Sequence, residues 1–240
     1  MSPFVIGHAA AAGEAPANTL AGVRAALDAG CEAMEIDVQL AADGVPVLLH
    51  DTTLDRTTNL RGPVRDVTSA DLARADAGEG EYVPTLAEVL ALVAGRLSIF
   101  SELKATPGDA VQDAALVEGV IAAIEAANAR DWCGIHSFNP VIVERARAVQ
   151  PRLSAAIISG PVDGDGALRL FGAVLKRGAQ AISLHHSSID AALVRAAKQR
   201  QLTVWTWTVD DEADWERVVA AGVDGIITNV PHRLREYLAR

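Results

Sequence analysis

Apolar residues follow two alternating patterns along the chain. Short runs rich in branched residues are typical of buried parallel strands, and they predict nine strands, at 4–8, 33–38, 45–50, 97–103, 132–137, 153–158, 180–184, 202–208 and 225–229. Between these runs, apolar residues recur at helical spacing, which predicts helices at 19–29, 85–94, 109–128, 140–149, 165–177, 190–200, 211–221 and 231–239. Asn18 and Asp190 are the expected N-caps of two of them. Such alternation indicates an α/β protein with a parallel sheet covered by helices.

One connection between strands is too short for a crossover helix. Only residues 39–44 separate the second and third strands, and Asp43-Gly44 is a hairpin-turn signal, so the third strand is expected to be antiparallel. Eight strands are left, the number that closes a (β/α)8 barrel of the TIM type. No nucleotide-binding glycine motif follows the first strand to favour an open sheet. We expect residues 1–240 to form a single barrel domain, with a small lobe at the mouth formed by 52–84.

Composition and charge narrow the function classes. At 240 residues and 50% hydrophobic content, the chain can bury one large core, and no stretch approaches the roughly 20 apolar residues of a membrane span. A net charge of −10 argues against a nucleic-acid-binding surface. Cys31 and Cys133 have no CxxC partner, and the N-terminus has no signal-peptide pattern, so we expect a cytoplasmic location. The oligomeric state is left open.

Three acidic residues form a candidate metal site. Glu35 and Asp37 lie two apart on a predicted strand, so their carboxylates project from one face into the barrel. Glu102 lies near the C-terminal end of another strand, where barrel active sites are found. Buried carboxylates require either salt bridges or a metal ion. Three oxygen donors without a matching Cys or His cluster favour Mg²⁺ or Ca²⁺ over zinc. Lys104, on the same face as Glu102, could bind a phosphate oxygen.

Two histidines end strands beside these acids. His8 ends the first strand, and His50 ends the hairpin strand, where we expect it to pair across the ladder with Glu35 or Asp37. Phosphodiester hydrolysis needs one group that activates the nucleophile and another that protonates the leaving oxygen. Histidine suits both roles near neutral pH. We therefore predict His8 and His50 as a catalytic pair for a small phosphodiester, with the acid and base roles left open.

Other polar residues are expected to have structural roles. His136, His185 and His186 should be structural or solvent-facing, with His185 a minor candidate for the mouth because it follows a strand. Arg56, in the lobe, either makes structural hydrogen bonds or reaches the mouth.

Six segments occur in the order and spacing of the glycerophosphodiester phosphodiesterase family. They are GHAAAAGEAPANTLAGVRAALDAG, EIDVQLAADGVPVLLHDTTLDRTTN, VPTLAEVL, SELK, HSFNP and VWTWTVDDEADWERVVAAGVDGIITNVP. The resemblance spans nearly the whole chain and implies metal-dependent hydrolysis of glycerophosphodiesters to glycerol 3-phosphate and an alcohol. It implies these roles: acid/base catalysis by His8 and His50, metal binding by Glu35, Asp37 and Glu102, phosphate contact by Lys104, and pocket lining by Trp207.

The chain departs from the pattern of this family in its first segment. The family usually has His-Arg-Gly and Pro-Glu-Asn-Thr, whereas this chain has HAA at 8–10 and PANT at 16–19. Ala9 therefore replaces an arginine that helps to hold phosphate, and Ala17 replaces a glutamate. The loss of both residues is understandable if the arginine and the glutamate form an ion pair in the family. Loss of one partner alone would then leave a near-buried charge unpaired. Two alternatives follow, a phosphodiesterase of altered substrate scope and a catalytically weakened binding protein.

Overall fold

The strands form a closed parallel barrel in the computed structural model, which describes residues 2–240. They are β1 (Phe4–Gly7), β2 (Ala33–Leu40), β3 (Pro46–Leu48), β4 (Ser98–Leu103), β5 (Cys133–Ser137), β6 (Ser154–Ser159), β7 (Ala181–His185), β8 (Thr203–Trp207) and β9 (Gly225–Thr228). Parallel pairing runs from β1 to β2, then through β4 to β9, and from β9 back to β1. The predicted strands and the (β/α)8 architecture are confirmed.

Helices follow the strands and cover the outside of the barrel. They are α1 (Leu20–Asp28), α2 (Ser69–Leu72), α3 (Leu86–Val93), α4 (Ala110–Ala126), α5 (Pro140–Val149), α6 (Gly164–Lys176), α7 (Ala191–Lys198), α8 (Glu212–Ala221) and α9 (Pro231–Leu238). The eight predicted helices are confirmed, and the short α2 was not predicted. Within residues 2–240 no helix has the length and apolar character needed to cross a membrane.

The two predicted N-caps have different outcomes. Asp190 caps α7, as expected, and accepts hydrogen bonds from two backbone N–H groups of its first turn. Asn18 does not cap α1, because Thr19 takes that position and accepts from the Gly22 N–H. The Asn18 side chain binds Asp37 instead. The residue before the N-cap thereby holds a carboxylate of the candidate site.

The hairpin strand β3 pairs antiparallel to β2 on the outside of the barrel, with Val38 opposite Leu48. Gly44 has a φ of +76° in the turn, which glycine adopts without steric cost. The expected ladder pairing of His50 with Glu35 or Asp37 is wrong, because β3 ends at Leu48. The N–H of the next residue, Leu49, donates to the Asp37 carbonyl at 3.1 Å, and this bond returns the chain to the end of β2.

The lobe at 52–84 has a small core of its own. Buried apolar residues of the lobe pack against the hairpin, namely Leu54, Val64, Leu72 and Val83 against Ala41, Val47 and Leu49. The segment contains α2 and a 3₁₀ turn at Val64–Asp66. The lobe begins two residues after His50, so its packing holds in place the chain that follows this histidine.

Large apolar side chains fill the barrel interior below its mouth, and we call this layer the floor. The rings of Phe100 and Trp205 lie 4.2 Å apart between centroids. A Cβ on Gly134 would lie 2.7 Å from the Phe100 ring, and a Cβ on Gly225 would lie 2.8 Å from the Trp205 ring. The absence of a side chain at these two positions therefore makes room for the aromatic rings. Smaller residues complete the layer, namely Ile6, Ala33, Ala156, Ala181 and Ile227.

Strand periodicity places the candidate site directly above the floor. Side chains two residues apart share a face, so each strand that contributes to the floor presents its next inward residue at the C-terminal end. Glu102 follows Phe100 in this way, and Trp207 follows Trp205. The same residues that set the packing of the barrel thus set the height of the polar side chains at its mouth.

Candidate active site

A cavity of about 220 Å³ opens at the C-terminal mouth of the barrel. Its lining residues come from most of the strand ends, namely His8, Glu35, His50, Glu102, Lys104, His136, Phe138, Ile158, Ser183, Trp207, Thr208 and Ile227. The structure therefore brings together six of the seven site residues predicted from the sequence. The seventh, Asp37, lies beside the cavity and contacts Lys104.

Glu35 is the most enclosed carboxylate of the site. It is 2% exposed, and its Oε2 accepts a hydrogen bond from the Ala9 N–H at 2.9 Å. Its Oε1 has no hydrogen-bond partner among residues 2–240 and lies 3.7 Å from Nε2 of His136. Burial alone would raise the pKa of Glu35, but the neighbouring His136, His8 and Lys104 lower it overall. Glu35 is therefore held as a carboxylate.

Lys104 joins the other two acids. Its Nζ lies 2.6 Å from Oε1 of Glu102 and 2.7 Å from Oδ1 of Asp37. The second oxygen of Asp37 accepts from the Asn18 amide at 2.7 Å. Burial favours the neutral amine, yet the two carboxylates outweigh it and raise the pKa of Lys104. Burial also raises the pKa of Glu102. Salt bridges thus compensate Asp37, and its role as a metal ligand stays a prediction.

A three-donor cluster forms on the other side of the site. One donor atom each of Glu35, Glu102 and His136 lies within 4.8 Å of the other two. His136 is 2% exposed, so of the two roles expected for it, structural or solvent-facing, burial excludes the second. Neither of its ring nitrogens has a hydrogen-bond partner among the described residues. Because buried polar atoms are normally paired, an orphaned carboxylate oxygen facing an orphaned imidazole fits a bound divalent cation.

The sequence contains a signal that His136 lies at the barrel mouth. His136 lies opposite Glu102 in the pairing of β4 with β5, near the C-terminal end of its strand. That position has the same relation to the mouth as Glu102 has on its own strand. The missing information was the register between the two strands, which only the folded barrel supplies.

His8 is oriented through its Nδ1 atom. That nitrogen lies 2.7 Å from Oδ1 of Asn229, whose amide donates in turn to Oδ2 of Asp210 at 2.7 Å. Since an amide oxygen only accepts, Nδ1 of His8 carries the proton. Its Nε2 lies on the side of the cavity, 4.0 Å from Oε2 of Glu35. This imidazole is set to exchange a proton at Nε2.

His50 is oriented in a similar way by a charged group. Its Nδ1 lies 2.7 Å from Oδ1 of Asp51, and Arg56 binds the same carboxylate with Nε at 2.5 Å and Nη2 at 3.0 Å. The Arg56 guanidinium is the main cause that holds the pKa of Asp51 well below its usual range. The structural hydrogen bonds expected for Arg56 are confirmed, and they fix the partner of a predicted catalytic residue.

A side cavity of about 250 Å³ adjoins the mouth, and both Ala9 and Ala17 line it, together with Arg56. The positions where the family has the arginine and the glutamate therefore face the same space. Ala9 and Ala10 have φ values of +44° and +71°, in the left-handed region that alanine rarely adopts. Backbone strain of this kind persists where the surrounding structure imposes it. Here the Ala9 N–H is held by the Glu35 carboxylate.

An aromatic wall closes the opposite side of the cavity. The Trp207 indole N–H donates to the Ser183 carbonyl at 3.1 Å, which fixes the ring. Phe138 lies edge-on to it at 5.5 Å, and His185 packs on it at 5.2 Å. Phe138 is 48% exposed and was missed from the sequence, although it lies within the HSFNP segment. His185 contacts the wall from behind, so its part at the mouth is to support Trp207.

Comparison with known proteins identifies the family. The sequence profile of the Glycerophosphoryl diester phosphodiesterase family matches residues 8–233, which is nearly the whole chain. The chain belongs to this family. The protein is thus a phosphoric diester hydrolase. It is similar to the glycerophosphodiester phosphodiesterase of Caldanaerobacter subterraneus subsp. tengcongensis, with 34% identity over 98% of this chain and 97% of that protein.

Solved structures agree with this family assignment. An Oleispira antarctica phosphodiesterase in complex with the product sn-glycerol-3-phosphate has a TM-score of 0.90 at 25% identity, over 100% of this chain and 98% of that one. The glycerophosphodiester phosphodiesterase of Agrobacterium tumefaciens has a TM-score of 0.82 at 27% identity, over 98% and 99% of the two chains. The resemblance seen in six sequence segments is confirmed.

Proposed function

We propose that this phosphodiesterase hydrolyses glycerophosphodiesters to glycerol 3-phosphate and an alcohol, with a divalent cation as cofactor. The observation that carries the proposal is the orientation of His8 and His50. Both rings are held at Nδ1 and both line one cavity with two carboxylates and a lysine. The product bound to the Oleispira antarctica relative supports glycerol 3-phosphate as one product.

The proposed cation site uses Glu35, Asp37 and Glu102 as carboxylate ligands. Glu35 and Glu102 lie within reach of one ion, while Asp37 is bound by Lys104. A bound cation would supply Lewis-acid stabilisation of charge on the phosphate. A substrate phosphate would compete with Asp37 and Glu102 for the Lys104 ammonium, which is the proposed phosphate contact.

The two histidines carry the proton transfers in this proposal. One removes a proton at its Nε2 from water or from a neighbouring hydroxyl of the substrate, and the other gives a proton to the leaving alkoxide. Asn229 and Asp51 hold the rings in position during both steps, since each binds an Nδ1 atom. Trp207 and Phe138 provide an apolar surface for the carbon skeleton of the substrate, because they form the wall opposite the acids.

The experiment is an assay of the purified protein against glycerophosphodiesters with choline, ethanolamine, glycerol and inositol head groups. We expect release of glycerol 3-phosphate that EDTA abolishes and an added divalent ion restores. Turnover that is unaffected by EDTA after exhaustive dialysis would refute the metal dependence. If no compound in the panel is cleaved, the substrate class is wrong.

A second candidate is a phosphodiesterase of altered substrate scope, and the side cavity favours it. The cavity lies where Ala9 and Ala17 replace larger side chains, and Arg56 at its edge offers a cation. A bulkier or additionally charged substituent of the substrate would fit there. A binding protein without activity is disfavoured, because both oriented histidines are present.

The cytoplasmic location also stays a prediction. It is supported by Cys31 and Cys133, two free thiols whose pKa is raised to about 12 by burial.

A further inference from the structure

We propose that His136 is a nitrogen ligand of the divalent cation and that it makes the site prefer transition-metal ions such as Co²⁺ and Mn²⁺ over Ca²⁺ and Mg²⁺. The inference rests on the proposed function only in placing an ion at Glu35 and Glu102. It adds an imidazole to the carboxylate ligands of the proposed site.

The distances in the three-donor cluster suit one ion. Donor atoms of Glu35, Glu102 and His136 all lie within 4.8 Å of one another. Two donors on opposite sides of an ion stand about 4.2 to 4.8 Å apart when their bonds are about 2.1 to 2.4 Å long. An ion between the three side chains therefore reaches all of them with small side-chain movements.

The surroundings of His136 leave its ring available as a ligand. His8 is bound at Nδ1 by Asn229 and His50 by Asp51, whereas neither nitrogen of His136 has a hydrogen-bond partner among residues 2–240. Its Nε2 stands 3.7 Å from Oε1 of Glu35, a distance beyond hydrogen-bond length. This Glu35 oxygen is also without a hydrogen-bond partner among residues 2–240. Two buried, unpaired donor atoms that face each other across this distance are explained by an ion that bridges them.

Lys104 determines on which side of the acids the ion lies. Its ammonium stands between Asp37 and Glu102, at 2.7 and 2.6 Å, so this side of the site already holds a positive charge. A second cation is repelled from that position and favoured on the side of Glu35 and His136. An imidazole there changes the selectivity, since nitrogen suits transition metals and oxygen ligands suit Ca²⁺ and Mg²⁺.

The first test is the NMR spectrum of the full-length protein loaded with Co²⁺. A histidine that ligates Co²⁺ through one nitrogen gives a hyperfine-shifted N–H resonance from the other, which exchanges with solvent. We expect this resonance in the native protein and in His232→Gln, a matched change at an exposed histidine on α9, and its loss in His136→Gln. If the native protein binds Co²⁺ without such a resonance, the inference is wrong, whatever the folding of the variant.

The second test is calorimetric titration with Co²⁺ and with Ca²⁺. His136→Gln should weaken Co²⁺ binding at least about tenfold. Ca²⁺ affinity should change less than about threefold, because glutamine offers an oxygen donor in place of the imidazole. Equal losses for both ions, or unchanged Co²⁺ affinity, would overturn the proposal.

These measurements use no substrate, so they separate the inference from the proposed function. A protein that binds Co²⁺ through His136 but cleaves no glycerophosphodiester would refute the function alone. A protein that cleaves them with an ion but shows no shifted resonance would refute the role of His136 alone. A protein that binds no divalent ion at all would refute both this role and the metal dependence.

Discussion

The floor and the mouth of the barrel use the same strands, two residues apart, and differ completely in chemistry. In the floor, Phe100 and Trp205 pack against each other and glycines on neighbouring strands make room for them. In the mouth, Glu102 and Trp207 follow on those two strands, and buried polar atoms lack partners. One layer therefore supplies packing energy and fixed spacing, whereas the other holds polar groups around a cavity.

The largest expected effect is the loss of stability when the floor is opened. Trp205→Ala should lower the free energy of unfolding by about 3 to 5 kcal/mol, because it leaves a cavity against Phe100. Turnover per folded molecule should be largely kept well below Tm. Chemical denaturation and active-site titration measure the two quantities.

Trp207→Ala is the matched control on the same strand. It should raise KM with a smaller change in unfolding free energy, since Trp207 lines the cavity and is only half-buried. If Trp207→Ala destabilises the protein more than Trp205→Ala does, the division between floor and mouth is not real.

Lys104 is where the division should break down, because it stabilises the mouth by charge. Lys104→Met leaves Asp37 and Glu102 without their shared cation, and removing one partner of a buried ion pair costs about 3 kcal/mol or more. The variant should melt at lower temperature in EDTA. Saturating Ca²⁺ or Mn²⁺ should raise its Tm by more than it raises that of the native protein, as differential scanning calorimetry would show.

The pH dependence gives a second check on Lys104. Its pKa is raised in the folded state, so its stabilising contribution is complete below the ordinary value of 10.5 and is lost as pH rises through the higher folded value. The stability difference between native protein and Lys104→Met should therefore be constant near pH 8 and shrink above 10.5. A difference that does not shrink there would show that charge is not the cause.

Changing either histidine should affect chemistry without affecting the fold. His8→Ala and His50→Ala should each lower kcat by roughly 10²-fold or more, the scale for a positioned proton carrier. His232→Ala, at an exposed histidine bound to Glu14, is the control and should have native kcat and Tm. Native turnover in either mouth variant would remove that residue from the mechanism.

The smallest expected effect concerns the side cavity. Ala9→Arg alone introduces a guanidinium near the cation, whereas Ala9→Arg together with Ala17→Glu lets the pair satisfy itself. The double variant should have the higher kcat/KM on a fixed glycerophosphodiester. In a double-mutant cycle, deviation from additivity should exceed about 0.5 kcal/mol. Additive effects would show that the two positions do not interact.

The sequence predicts which side chains share a face better than it predicts what balances their charges, for a physical reason. Strand alternation is local, so the inward faces and the shared face of Glu35 and Asp37 could be inferred from spacing alone. Whether a lysine or an ion balances an acid depends on contacts between strands. The register of the closed barrel places Lys104 beside Asp37. It also places His136 opposite Glu102. His50 lines the cavity, but the ladder pairing predicted to bring it there does not form, because β3 ends at Leu48.

The Lys104 ammonium also bears on when in the life of the protein the proposed metal would be needed. A zinc finger stays unfolded until its ion arrives, because nothing else neutralises its ligands. Here a counter-ion encoded in the chain holds Asp37 and Glu102 together from the start. We therefore expect the newly made chain to fold and persist without metal. Under the proposed metal dependence, the supply of divalent ions would govern how many molecules are active, and not how many survive.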